Sequence, residues 1–109
     1  MPRENALQGT LDLLVLKTIA QLGAMHGFGI ALHIQQVSSD LLRVEEGSLY
    51  PALRRIEETG WIASTWGTTE NNRQAKYYRL TAAGRRQLAH EEQGWLQLVK
   101  GVNALLRFS

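Results

Sequence analysis

Ser48, Tyr50, Pro51, Arg54 and Arg55 crowd into the stretch Glu46-Gly47-Ser48-Leu49-Tyr50-Pro51-Ala52-Leu53-Arg54-Arg55-Ile56-Glu57-Glu58-Thr59-Gly60. The chemistry open to this set is recognition. Small side chains let the first turn of a helix approach the base edges of a DNA major groove, and Arg presents bidentate donors to guanine or phosphate. Leu49, Leu53 and Ile56 stand at i, i+4 and i+7, which predicts a helix with one apolar stripe turned inward. Gly47, Ser48, Pro51, Arg54, Arg55 and Glu58 then lie on the other side, with Tyr50 on the flank. Gly60 fits the C′ position that ends such a helix. Pro51 comes a few residues after the expected start at Gly47 or Ser48, so the first turn is expected to be distorted or 3₁₀ in character. An ordinary amphipathic helix with a solvated charged face has the same pattern, and the flanking segments must decide.

A second group carries charge. Arg73, Lys76, Arg79, Arg85 and Arg86 follow one another with no acid between them, although the chain of 109 residues has a net charge of only +2. Such a local cluster is the electrostatic footprint of a nucleic-acid face, or else a solvated patch. Catalytic alternatives find little support. His26, His33 and His90 show no metal-ligand spacing with carboxylates, and there is no cysteine, which excludes a disulfide framework and thiolate metal sites. Ser48 is not in a G-x-S-x-G elbow, and Gly27-Phe28-Gly29 lacks the third glycine and preceding strand of a dinucleotide site. Glu57-Glu58 and Glu91-Glu92 are adjacent pairs whose side chains diverge on a helix. No enzyme activity, cofactor or metal is expected.

The elements that must hold these groups can be read in order. A hydrophobic content of 44% in one short chain implies a single compact unit. Residues 1–8 read as a loose arm without signal-peptide character, and no run is long and apolar enough for a membrane span, so a cytoplasmic protein is expected. Thr10 is placed to cap a first helix from Leu11 to about Leu22, with Asp12 near its positive end. That helix is apolar around most of its circumference and needs cover on two sides, the second of which a further copy of the chain could supply. A glycine-punctuated turn, Met25 to Ile30, leads to a second helix from about Phe28 to Val37. Ser38-Ser39-Asp40 is a turn, and Leu41 to Val44 has room for a very short strand. Helix, turn, helix, turn, helix is the outline of a helix-turn-helix.

After Gly60 the period changes to two. Trp61 to Trp66 and Ala75 to Leu80 read as strands joined by a polar loop, Gly67 to Gln74, which makes a hairpin wing. Thr81 caps a last helix, Ala82 to about Arg107. Leu88, Trp95 and Val102 are spaced by seven on it, with Val99 and Leu106 beside them. This seam suits either a partner's last and first helices or the chain's own core. The expected dimer interface is Leu11, Val15, Leu88, Trp95, Val99, Val102 and Leu106. The fold class expected is mainly α with a small β-hairpin (α+β). Residues 1–81 would form a winged helix-turn-helix, and residues 82–109 a C-terminal dimerisation helix within one compact unit.

Four motifs, in this order and spacing, resemble the PadR family of bacterial transcriptional regulators. They are Gly9-Thr10-Leu11-Asp12-Leu13-Leu14-Val15-Leu16, His26-Gly27-Phe28-Gly29-Ile30, Glu46-Gly47-Ser48-Leu49-Tyr50-Pro51-Ala52-Leu53 and Ala75-Lys76-Tyr77-Tyr78-Arg79-Leu80-Thr81. The likeness runs from about Leu7 to Leu106, and the single short C-terminal helix is similar to the compact branch of the family. The family usually has Tyr where Phe28 stands and often a basic residue where Gln74 stands. The first change removes a hydroxyl and the second a cation. The resemblance implies a homodimeric winged-helix repressor whose last helices form the dimer interface. Some compact members bind aromatic effectors between the subunits beside a tryptophan of the last helix, where Trp95 is similarly placed. The other reading of Trp95 is plain packing in a dimer core.

On this reading Ser48, Tyr50, Pro51 and Arg54 contact base edges and nearby backbone of a double-stranded operator, Arg55 a phosphate, and Arg73 and Lys76 phosphates or the minor groove. Glu45 and Glu46 sit at the positive end of the helix dipole or point aside. The rival is a winged-helix module that binds protein and has no need of Arg54, Arg73 and Lys76 on one surface.

Overall fold

The computed structural model describes residues 2–108, with side chains from residue 10 onward. Its elements are α1 (Pro2–Leu22), β1 (Met25–His26), α2 (Gly27–Val37), α3 (Glu46–Thr59), β2 (Ile62–Thr68), β3 (Gln74–Leu80) and α4 (Ala82–Arg107). The three strands form one antiparallel sheet in the order β1-β3-β2. Helix α1 starts at Pro2, not at Thr10. Proline suits the first helical position, and Arg3 to Gln8 contain no breaker, so the helix runs through Gly9 at a cost of about 1 kcal/mol. Asp12 therefore lies mid-helix, away from the dipole end.

The inward stripes meet in one core. Val15, Leu16 and Ile19 of α1, Ile30 and Ile34 of α2, Leu49, Leu53 and Ile56 of α3, Ile62 and Tyr78 of the sheet and Leu88 of α4 are all buried together. Val15 and Leu88 thus belong to the chain's own interior and are removed from the expected dimer interface: the chain covers this part of α1 without a second copy.

Three local devices set the geometry. The segment entering α2 contains a two-residue strand that sequence reading took for a turn; Met25 pairs with Tyr78 and His26 with Tyr77. His26 then caps α2, its Nδ1 accepting from the Gly29 amide at 3.0 Å. The stretch Leu41 to Val44 forms no strand. At the end of α3, Gly60 takes φ +91° and completes a Schellman motif, its N–H donating to Glu57 and that of Trp61 to Ile56. Thr81 then joins two helix ends. Its hydroxyl donates to the Gly60 carbonyl at 2.7 Å and accepts from the Gly84 amide, the N-cap bond of α4, at 3.0 Å.

The wing is a seven-pair ladder from Ile62↔Leu80 to Thr68↔Gln74. Its loop is shorter than expected. The Asn72 amide donates to Thr69, the Thr69 amide donates to Arg73, and Asn72 takes φ +61°. This is the arrangement of a type I turn followed by a left-handed residue, a position asparagine tolerates.

Candidate nucleic-acid interface

Helix α3 has two faces of opposite character. Leu49, Ala52, Leu53 and Ile56 are buried, whereas Gly47, Ser48, Pro51, Arg54 and Glu58 are exposed. The helix begins at Glu46, with Glu45 at the cap, so Pro51 lies inside it. Pro51 cannot donate to the carbonyl four residues back, which leaves the Gly47 oxygen without its helical partner on the exposed side. The Ser48 and Leu49 amides both turn back to Glu45, which closes the first turn with a 3₁₀ bond beside an α bond. Glu46 occupies the first turn, where the dipole favours an acid.

Tyr50 stands at the edge of this face, half-exposed. Its ring lies over Gly27: a Cβ there would sit 2.7 Å from the ring, so only glycine lets α2 and Tyr50 meet this closely. Burial, and then the charge of Glu46, raise its phenol above the ordinary 10.0. Tyr78 beneath is raised for the same first reason, with Glu57 and Tyr50 adding to it. Both hydroxyls are therefore neutral donors at physiological pH. Glu57 accepts from Ser64 at 2.6 Å, which fixes the angle between α3 and the sheet.

Arg55 has a different task from the one its sequence position suggests. Its two terminal nitrogens donate to the two oxygens of Asp12 at 2.7 and 2.9 Å. Asp12 is only 5% exposed. The bidentate fork is occupied in tying α3 to α1, and that hydrogen bonding raises the guanidinium pKa further. Arg55 is thus engaged with Asp12, while its side chain stays 37% exposed. A pairing across 43 positions has no local signature, and both residues taken singly fit a helix surface.

The wing stands beside α3. Ile62, Ser64 and Tyr78 mark the sheet face that packs on α3, and the two-residue alternation puts Trp66 and Lys76 on that same face nearer the tip. Arg73 lies at the tip, exposed. The sequence-predicted residues Ser48, Tyr50, Pro51, Arg54, Arg73 and Lys76 therefore belong to an exposed helix face and its adjoining wing. Among the described residues, no group of three or more His, Asp or Glu side chains gathers as a metal site, and no helix is long and apolar enough to cross a membrane.

Residues 15–90 match the model of the transcriptional regulator PadR-like family. The chain belongs to this family. Among solved structures, a transcriptional regulator from Clostridium thermocellum superposes with a TM-score of 0.84 at 26% identity, covering 94% of this chain and 99% of that one. A PadR family regulator from Eggerthella lenta is 33% identical over 99% of this chain and 92% of its own, with a TM-score of 0.74. An uncharacterised protein of Lysinibacillus sphaericus is 26% identical over 90% of this chain and 89% of its own. The architecture is accordingly that of the winged-helix PadR regulators, and the matched span holds α2, α3, the wing and the start of α4.

Away from α3, a cleft of about 340 Å³ opens between α1, α2 and α4, lined by Leu13, Leu14, His33, Val37, Trp95 and Leu96 among others. Lys17 and Glu92, also in its lining, form an exposed ion pair at 3.0 Å.

Proposed function

We propose that this PadR-like regulator binds double-stranded operator DNA as a homodimer and represses transcription until a small-molecule effector releases it. Residues 1–81 would carry the DNA contacts and residues 82–109 the dimer contacts. The observation that carries the reading is α3 itself. One face is locked into the core, while the other presents Ser48, Pro51 and Arg54 to solvent, with Tyr50 at its edge and the cations of the wing beside it. Two such helices would enter successive major grooves about 34 Å apart.

The test is a titration against a duplex from the gene's own upstream region and a random duplex, over a salt series. Binding is expected to fall steeply with salt and to favour the upstream duplex. Arg54→Ala is expected to lose roughly 1–3 kcal/mol of discrimination per contacted site. Weak, salt-insensitive binding to both duplexes would instead support a protein-binding module.

Dimerisation is supported by where cover runs out on α4. Leu88 is buried, but Trp95, Val99, Val102 and Leu106 continue the same face at helical spacing, and all but Val99 are exposed. Leu11 is partly buried at the neighbouring surface of α1. Val102→Glu with Leu106→Glu is expected to give a monomer in sedimentation, near 12.2 kDa, with DNA affinity down at least 100-fold as two linked half-sites become one. A double variant that stays dimeric would remove α4 from the interface. Trp95 also lines the cleft, whose volume lies in the range of ligand pockets, and this favours an aromatic effector seated there.

A further inference from the structure

The two faces of the wing tip differ. On one, the Tyr77 ring lies across Gly67, where a Cβ would be 2.7 Å from the ring. The Tyr77 hydroxyl donates to the Thr68 carbonyl at 3.2 Å, and His26 meets the ring edge-on at 5.2 Å. That face is closed by the wing's own side chains. The other is open. Trp66 is 68% exposed, opposite Lys76 in the ladder, with Lys76 Nζ 5.9 Å from the centre of the indole. Thr68 and Gln74, the next pair on that face, are exposed as well. An indole, an ammonium and two hydrogen-bonding side chains, with no acid among these two cross-strand pairs, make a surface of mixed chemistry. It lies on the side of the sheet that packs against α3.

We propose that this open face grips the sugar–phosphate backbone of duplex DNA beside the groove that α3 enters. Trp66 packs on deoxyribose, and Lys76, held over the indole by a cation–π contact, meets the phosphate. The inference rests on the DNA-binding reading above and adds an apolar, salt-independent part to it. A deoxyribose–phosphate strand suits the patch because it alternates apolar sugar with anionic oxygen, the chemical complements of an indole beside an ammonium. Since neither group reads a base edge, the grip adds affinity without sequence preference.

The same two duplexes, titrated from about 50 to about 200 mM salt, separate the two residues. Trp66→Ala in the full chain is expected to weaken both duplexes about tenfold with the salt slope unchanged, as for loss of a buried apolar contact. Trp66→Phe should keep most of the affinity. Lys76→Gln should weaken both duplexes equally and make the slope shallower by about one per subunit. The exposed position of Trp66 predicts a melting temperature within about 3 °C of wild type for Trp66→Ala, so the loss is not one of folding. A Trp66→Ala chain that binds both duplexes like wild type, when wild type shows its steep slope, would overturn the grip and leave the DNA reading standing. Wild type without salt-dependent binding would remove both. Dissociation of Trp66→Ala into monomers would assign the face to a second copy instead and overturn the proposal.

Discussion

Gly84→Ala is expected to cost about 3 kcal/mol of stability, since an added Cβ meets backbone and not a side chain that can swing away. Built on the present backbone, that atom would collide with the Trp61 carbonyl oxygen and lie 2.9 Å from its carbon. In an exposed helix the same substitution would be stabilising by up to about 1 kcal/mol, so the sign of the effect is itself diagnostic. Here α4 must move away from the start of β2. The Thr81 hydroxyl that links Gly60 to Gly84 would stretch with it. At roughly 4 °C or more per kcal/mol, the melting point should fall by over 10 °C. Gly94→Ala is the control, because nothing lies within 4 Å of its Cβ position. Thermal melts at one protomer concentration decide the matter, and a Gly84→Ala chain as stable as wild type would contradict the close approach of α4 to Trp61.

Arg55→Met carries the second large effect. It keeps the length of the side chain while leaving the Asp12 carboxylate buried without its partner, for an expected loss of roughly 3 kcal/mol. Asp12→Leu combined with Arg55→Met should recover much of that loss, because the cost lies in the abandoned charge more than in the broken pair. A denaturant series on the two single variants and the double variant measures the coupling. The same proteins test what Arg55 does at DNA. As a strut between α3 and α1 it should leave the salt slope unaltered in the refolded double variant. A slope shallower by about one would return Arg55 to the phosphate contacts.

The order of elements, the buried stripe of α3 and the hairpin were legible because periodicity and turn residues are local signals. Leu49, Leu53 and Ile56 announce their face at a spacing that only a helix satisfies, and Gly60 marks its end. Three features depend on contacts between distant segments and left no such mark. The Asp12–Arg55 pair needed the packing of α1 on α3. The strand at Met25–His26 is too short to show alternation and exists only because β3 offers it an edge. Leu88 was assigned to a seam shared with Trp95 and Val102, since spacing by seven does not record where the chain's own cover stops. Arg54, Arg73 and Lys76 are exposed, as long cations on polar faces usually are. Gly84 belongs to no periodic pattern. Its location directly after a good cap was a usable sign that another backbone comes close there.

The Thr81 hydroxyl bonds to both the end of α3 and the start of α4, so the two helices are coupled directly. Helix α4 has 26 residues and so spans about 39 Å. In a pair clasped through the far ends of α4, a change of about 5° at the clasp carries each α3 sideways by roughly 3.4 Å, the rise of one base pair. On the proposed dimeric reading, operator spacing becomes a protractor: lengthening or shortening it by single base pairs would read out, in steps of a few degrees, the crossing angle of the two rods.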